Sequence, residues 1–473
     1  MKRLRSALLF LAAVVFLAMG ASAQETPTFN LLFSFPCDSN FVCPDGYFPV
    51  SLVEGIDGNF YGTAAGGGTG MNAQGTIFEF TPSTGQVTVL FSFGEQPDGS
   101  LPLGSAPETV IEGTDGFLYG TTLLNGEFGE GTVFKMTKTG VMQDLHDFCK
   151  TLTCSDGAFP SFLMEALDGN FYGSTGPQNF PTSVLYRISS TGTYEVLHTF
   201  DTKSLPDGTG TYGFLQLSDG NFYGATTAGA QNKPFNSIFR FNPATSAYAI
   251  LHGFDWPNVA TGNLIQSSSG ELFGIQANSI LYVVSTAGAY HMFGSMSPTQ
   301  FWNSAILQAS DGNLWGDFQA GCGFEGGVFT ATTKGSLLQD LEYGCLTVGE
   351  QITSMVQAAD GKFYGLTAGG GGVSTTNPVL NGTIFSLDAG LPPPTATIIN
   401  FAPTTGAVGS KVLLQGTHFV GTTAVSFNGV KAAFQLRSGG YILATVPAGA
   451  ASGKLAVTNA GGTTTSAKSF TVQ

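Results

Sequence analysis

A six-residue phrase returns along the whole first part of this chain. It reads DGNFYG at Asp57–Gly62, DGFLYG at Asp115–Gly120, and DGNFYG again at Asp168–Gly173 and Asp219–Gly224. It weakens to SGELFG at Ser269–Gly274, then returns as DGNLWG at Asp311–Gly316 and DGKFYG at Asp360–Gly365. The first and last copies start 303 residues apart, a mean period of 50.5 over six intervals. A period of that size belongs to propeller blades or to a solenoid. The first unit divides into four strand-like runs: Ser51–Ile56, Asn59–Thr63, Thr76–Thr81 and Gln86–Phe93. The Asp57-Gly58 pair joins the first two as a tight hairpin, because glycine takes positive φ without a Cβ clash. Alternation in Val87, Val89, Phe91 and Phe93 has the period of two that strands require.

The ends of the array choose between ring and solenoid. The seventh unit lacks a fourth run: after Thr383–Leu387 comes Leu391-Pro392-Pro393-Pro394, which cannot pair in a ladder. The missing piece stands at the other end, where Phe29-Asn30-Leu31-Leu32-Phe33-Ser34-Phe35 matches Val87–Phe93. Such a permutation serves a closed ring, since it removes the seam. The expected fold is all-β: a seven-bladed β-propeller of four-stranded blades, followed by an Ig-like β-sandwich. The expected divisions are a signal peptide at 1–23 and a propeller at 24–389 closed by strand 28–35. A Pro-rich linker at 390–395 and a C-terminal domain at 396–473 follow.

The first residues read as an export signal. Lys2, Arg3 and Arg5 precede the apolar stretch Leu8–Met19, and Ala21-Ser22-Ala23 offers a small-x-small cleavage site. No other segment approaches the ~20 apolar residues of a membrane helix. Removing the leader's three basic residues leaves 14 Lys and Arg against 32 Asp and Glu, a net charge of −18. That argues against nucleic acid or an anionic membrane surface as partner. The expected localisation is extracellular, periplasmic or cell-surface. Six cysteines in an exported chain suggest disulfides, and the blade registry pairs Cys37 with Cys43, Cys149 with Cys154, and Cys322 with Cys345. Their spacing matches no common zinc pattern. Neither a metal nor a cofactor is expected.

Past the prolines the hexapeptide vanishes. Ile399-Asn400-Phe401-Ala402-Pro403, Val412-Leu413-Leu414-Gln415-Gly416, Val425-Ser426-Phe427-Asn428-Gly429 and Ala444-Thr445-Val446-Pro447 resemble an IPT/TIG immunoglobulin-like domain. The resemblance implies a spacer or binding module of surface proteins, without catalysis. The repeats, through Asp-Gly-Asn-Phe-Tyr-Gly followed by Gly-Thr-Ile-Phe, resemble the GloVer-type tandem repeats of exported bacterial proteins. They also look distantly like the propeller repeats of bacterial sensor ectodomains.

Columns of the repeat supply the candidate site residues. Three positions before each Asp-Gly position stand Glu54, Glu112, Glu165, Gln216, Gln266, Gln308 and Gln357. On the innermost strands they surround the central channel. They form either a repeated hydrogen bond to the neighbouring blade or a one-sided carboxylate arc for a cation or basic group. The repeated Asp reads as turn formation. His146, His198 and His252 share a position on outermost strands, too far apart for a triad or metal site. The glycine runs at Gly66–Gly68 and Gly369–Gly372 precede strands rather than helices, so they are not phosphate cradles. The long loops form the expected binding face, with Tyr47, Phe128, Trp256 and Phe324 as its aromatic contacts. These features point to a non-catalytic binding or adhesion protein for a polysaccharide or a cell-surface protein. The alternative is a secreted carbohydrate-active enzyme, a glycoside hydrolase or lyase, with an acidic site on the loop face.

Overall fold

The computed structural model describes residues 27–38, 40, 42–70, 72–95, 101–176, 183–200, 210–226, 236–254, 260–276, 280–295, 306–318, 326–343, 348–370 and 381–473. Seven four-stranded antiparallel sheets follow one another, then two further sheets. Blade 1 runs outward through Tyr47–Glu54, Phe60–Gly66, Thr76–Thr81 and Gln86–Ser92. Blades 2 to 6 repeat that order between Ser105 and Tyr343. Blade 7 takes three strands from Glu350–Gln357, Phe363–Gly369 and Thr383–Asp388, and its outermost strand is the N-terminal Thr28–Ser34. Thr28 faces Asp388 and Ser34 faces Thr383 in that closing pair. Among the described residues no helix is long and apolar enough to cross a membrane.

The hexapeptide is a local device with three parts. The Asp Oδ1 accepts the backbone N–H two residues on, at 3.0–3.3 Å in the six units that carry Asp. The Asp Oδ2 accepts the Tyr hydroxyl four residues on, at 2.7–3.0 Å in five of them. In blade 6 the Trp315 indole N–H replaces that hydroxyl on Asp311. The glycine after the Asp has φ between +78° and +93°, a conformation an L side chain resists. The closing glycine has a different reason. Gly62, Gly120, Gly173, Gly224, Gly274 and Gly365 each pair across the ladder with an aromatic residue of the third strand. A Cβ on Gly62 would lie 2.3 Å from Phe78 Cζ, and one on Gly120 would lie 2.1 Å from the Thr109 carbonyl. The glycine supplies the floor on which the ring lies.

The core is divided into wedges between blades. Phe35, Leu366 and Ile384 of blade 7 meet Leu52, Phe60, Phe78 and Phe80 of blade 1. Tyr61, Ile77 and Phe93 of blade 1 meet Val110, Leu118 and Phe134 of blade 2. Each such ring contributes roughly 1.5–3 kcal/mol of burial. Faces that pack on both sides leave little room for charge, consistent with only 10% charged residues.

The two C-terminal sheets form the sandwich. One holds Thr397–Ala402, Lys411–Thr417, Tyr441–Thr445 and Phe434–Ser438. The other holds Thr405–Gly406, Gly462–Val472, Gly453–Asn459, Ala424–Phe427 and Val430–Ala432. Phe401, Val412, Leu414, Phe419, Phe427, Ile442, Val457 and Phe470 are buried between them.

Two of the expected disulfides, Cys37–Cys43 and Cys149–Cys154, are formed. Cys322 and Cys345 lie outside the described residues. The innermost strand of blade 1 begins at Tyr47, earlier than the sequence reading places it, because it carries a bulge between Pro49 and Ser51. Phe48, Ala106, Phe159 and Gln351 each stand two residues before the bulge of their innermost strand in blades 1, 2, 3 and 7, with φ of +50° to +57°.

Candidate functional site: two faces of the ring and the cleft beneath

The Glu/Gln column is a belt of hydrogen bonds between blades. In six units the side-chain oxygen accepts the N–H of the residue just before the preceding blade's Asp-Gly position, at 2.7–3.3 Å. Glu54 takes Ala359 N and so ties blade 1 to blade 7. Gln266 donates its amide to Gly270 O. Burial pushes the Glu54 and Glu165 carboxyls up to about 7, against the pull of their backbone donors. Glu112 instead meets Lys138 Nζ, which also pairs with Asp57 at 2.7 Å and lies over the Tyr61 ring. In Glu54, Glu112 and Glu165 both carboxylate oxygens meet a protein donor.

The C-terminal domain lies on this same face. Tyr441 donates its hydroxyl to Glu165 O at 2.7 Å, and Gln415 Nε2 donates to Gln216 Oε1 at 3.1 Å. Lys468 Nζ donates to Ser218 O. Gly439 approaches Glu54 O so closely that a Cβ there would come within 3.4 Å. The proline segment is laid on blades 6 and 7: Ser310 Oγ donates to Pro392 O at 2.6 Å, and Gly361 abuts Leu391 O. These contacts set the domain against blades 1, 3 and 4, and the proline segment against blades 6 and 7.

The opposite face bears the long loops and both formed disulfides. Tyr47 opens the innermost strand of blade 1 and is 44% exposed, with its ring over Gly66. Phe128 lies in the second-to-third strand loop of blade 2 and is 41% exposed. Trp256 and Phe324 lie outside the described residues. Val42, Phe48, Leu124 and Leu152 are exposed on the same face, from the entry to blade 1 to the entry to blade 3. Phe48 escapes a reading of aromatic loops because it stands inside a strand. Its signal is the dipeptide before proline, shared by Phe48-Pro49, Ala106-Pro107 and Phe159-Pro160. There the left-handed residue donates its N–H to the preceding blade: Phe48 to Asn381 O, Ala106 to Gln74 O and Phe159 to Glu130 O.

The histidine column has a partner that columns within one strand do not reveal. His146 stacks on Tyr194, His198 on Tyr248 and His252 on Tyr290, at centroid distances of 3.8–4.1 Å. Each pair joins outermost strands of neighbouring blades. Burial holds His146 below the ordinary imidazole range, while Asp156 at 3.3 Å pulls the other way. Asp144 and Asp147 lie nearby. Burial and its hydrogen bond to Asp147 raise the Asp144 carboxyl above the usual range. Among the described residues no group of three or more His, Cys, Asp and Glu side chains is placed to hold a metal ion.

A model of the Gloeobacter/Verrucomicrobia repeat matches residues 22–206 and 107–300, together more than half of the chain. The chain belongs to the Gloeobacter/Verrucomicrobia repeat family. An IPT/TIG domain matches residues 396–472 of this Gloeobacter/Verrucomicrobia repeat protein. No curated protein matches it in sequence. Among solved structures it is similar to the extracellular domain assigned to a hybrid two-component system of B. thetaiotaomicron. That likeness has 11% identity and a TM-score of 0.50, covering 90% of this chain and 52% of the other. The chain therefore spans about half the length of that relative. It is also similar to a fungal alcohol oxidase of the AA5 family solved with copper. There the identity is 11% and the TM-score 0.52, over 93% of this chain and 98% of the other. At such identity both likenesses speak for the fold of the repeat protein alone.

Proposed function

We propose that the protein is an exported, non-catalytic binding protein that holds a polysaccharide or a cell-surface protein against its loop face. The observation that supports this most is the unequal use of the two faces. The TIG domain covers the Asp-Gly face, while Val42, Tyr47, Phe48, Leu124, Phe128 and Leu152 expose apolar surface on the other. Apolar side chains gathered on one face of a rigid scaffold are the usual ground of a contact surface. Disulfides and the family's extracellular relative in fold favour export, with 1–23 as the signal, 24–389 as the propeller, 390–395 as the linker and 396–473 as the second domain.

The test is a panel of immobilised glycans and surface proteins, probed with the whole secreted chain and with Tyr47→Ala/Phe128→Ala. The double variant is expected to lose at least tenfold in affinity, as removal of buried aromatic anchors does. Binding left intact by that variant, or no binding anywhere on the panel, overturns the proposal.

A further inference from the structure

Between blades 5 and 6 and the TIG domain lies a recess. Its volume is about 280 Å³, and its lining includes Ser268, Gln308, Ser310, Thr397, His418 and Thr464. It belongs neither to the loop face nor to the channel belt alone. Its propeller wall is fixed: Gln308 Oε1 accepts Ser268 N at 2.7 Å, and Gln308 Nε2 donates to Gly312 O at 2.8 Å. The TIG wall is fixed too. Asn459 Nδ2 donates to both Pro394 O and His418 O at 2.9 Å, which holds His418 with φ at +55°. A non-glycine residue kept in that conformation marks a place where the surroundings dictate the backbone.

The walls mix hydroxyl, amide and imidazole groups with the apolar Ala309, Pro394 and Ala396. Among the described residues the hydroxyls of Ser268, Thr397 and Thr464 and the imidazole of His418 make no side-chain hydrogen bond to protein, and one N–H of Gln308 is likewise unused. No carboxylate, lysine or arginine lines the recess. Burial also holds His418 below the ordinary imidazole range, so it stays neutral at physiological pH, one nitrogen donating and the other accepting. Such walls match a ligand that alternates donor and acceptor on every edge and carries no charge. The lack of an aromatic platform and the small volume, just below the roughly 300–1,000 Å³ of ligand pockets, admit one ring rather than a chain.

We infer that the recess between the propeller and the TIG domain binds a single neutral polyhydroxylated ring, a monosaccharide unit, through Ser268, Gln308, Thr397, His418 and Thr464. Because the two walls come from different domains, the ring bridges them and steadies the angle at which the TIG domain leaves the propeller. This inference does not rest on the loop-face reading.

The experiment uses the full secreted chain and a panel of methyl glycosides, read by ligand-observed saturation transfer and by the His418 ring resonances. At least one glycoside is expected to bind with a Kd on the order of 1 mM, as a few neutral hydrogen bonds allow. Ser268→Ala/Thr464→Val removes one hydroxyl from an exposed position and one from a half-buried position, and is expected to weaken that binding at least tenfold. Tyr47→Ala/Phe128→Ala is expected to leave it unchanged, which separates this site from the loop face. The inference is overturned if no glycoside shifts His418. Binding untouched by Ser268→Ala/Thr464→Val, or inorganic phosphate binding as well as the sugars do, also overturns it.

Discussion

Glu165 gives the sharpest test of the channel belt. Its side chain is buried, 7% exposed, and accepts Thr114 N at 2.8 Å and Thr114 Oγ1 at 2.6 Å. Burial raises its carboxyl from 4.5 to about 7, and Asp115 and Asp168 add to that rise. A folded-state value above the unfolded one means that the native protein binds this proton more tightly. The stabilisation is complete below about pH 4.5 and is lost as pH rises through about 7. At 1.36 kcal/mol per unit, ionised Glu165 costs the fold about 3 kcal/mol at pH 8. Glutamine has the same reach and no charge. Its Oε1 keeps the Thr114 N–H, its amide donates to Thr114 Oγ1, and four other blades already use it. Glu165→Gln is therefore expected to match the parent near pH 4.5 and to exceed it by up to about 3 kcal/mol at pH 8. With roughly 2.1 cal/mol/K of unfolding entropy per residue, that is a rise of about 3 °C in Tm if the chain unfolds as one unit. Calorimetry across pH 4.5 to 8 measures it. A difference between variant and parent that stays flat with pH refutes the reasoning, as does a variant less stable at pH 8. Glu112→Gln carries the opposite sign, because it strips a partner from Lys138.

Tyr172→Phe removes the 2.8 Å bond to Asp168 and is expected to lose about 1–2 kcal/mol in urea denaturation, with blade geometry kept. Gly120→Ala brings a Cβ to 2.1 Å from the Thr109 carbonyl and 2.4 Å from Phe134. It is expected to cost about 3 kcal/mol or to prevent folding. Gly116→Ala meets open space and only the φ of +84°, so about 1 kcal/mol is expected from the same thermal scan. Peptide mapping without reductant is expected to return Cys37–Cys43, Cys149–Cys154 and Cys322–Cys345; a scrambled set would break the blade registry.

The ring was legible because its signals are local and repeated. A hairpin turn, a glycine opposite an aromatic and a matching terminal strand each recur at fixed offsets, and a closed sheet leaves one place for Phe29–Phe35. The inter-blade direction of Glu54 and Gln357 follows from the same columns. What escaped is whatever depends on how one unit faces the next. Tyr194 and Tyr248 stand four residues before His198 and His252 on the same strands, yet each stacks on the preceding blade's histidine. The left-handed backbone at Phe48 shows only as a residue before proline. The docking of Tyr441 on Glu165 O joins residues 276 apart, so no pattern of spacing reports it. The recess beside His418 is a product of that docking and inherits its invisibility.

The pairing of Thr28–Ser34 with Thr383–Asp388 also sets an order of events in time. Six blades consist of consecutive strands and form as each arrives. The seventh waits, because its members are separated by 349 to 360 residues. Chains emerge N-terminus first, so the earliest strand made is the last one placed. Until it docks, Ile384, Phe385 and Leu387 stand on an open edge that invites another chain. Joining so distant a pair is slow by the ordinary rule of contact order. The closure that leaves the finished ring without a seam thus gives the nascent chain its longest exposure.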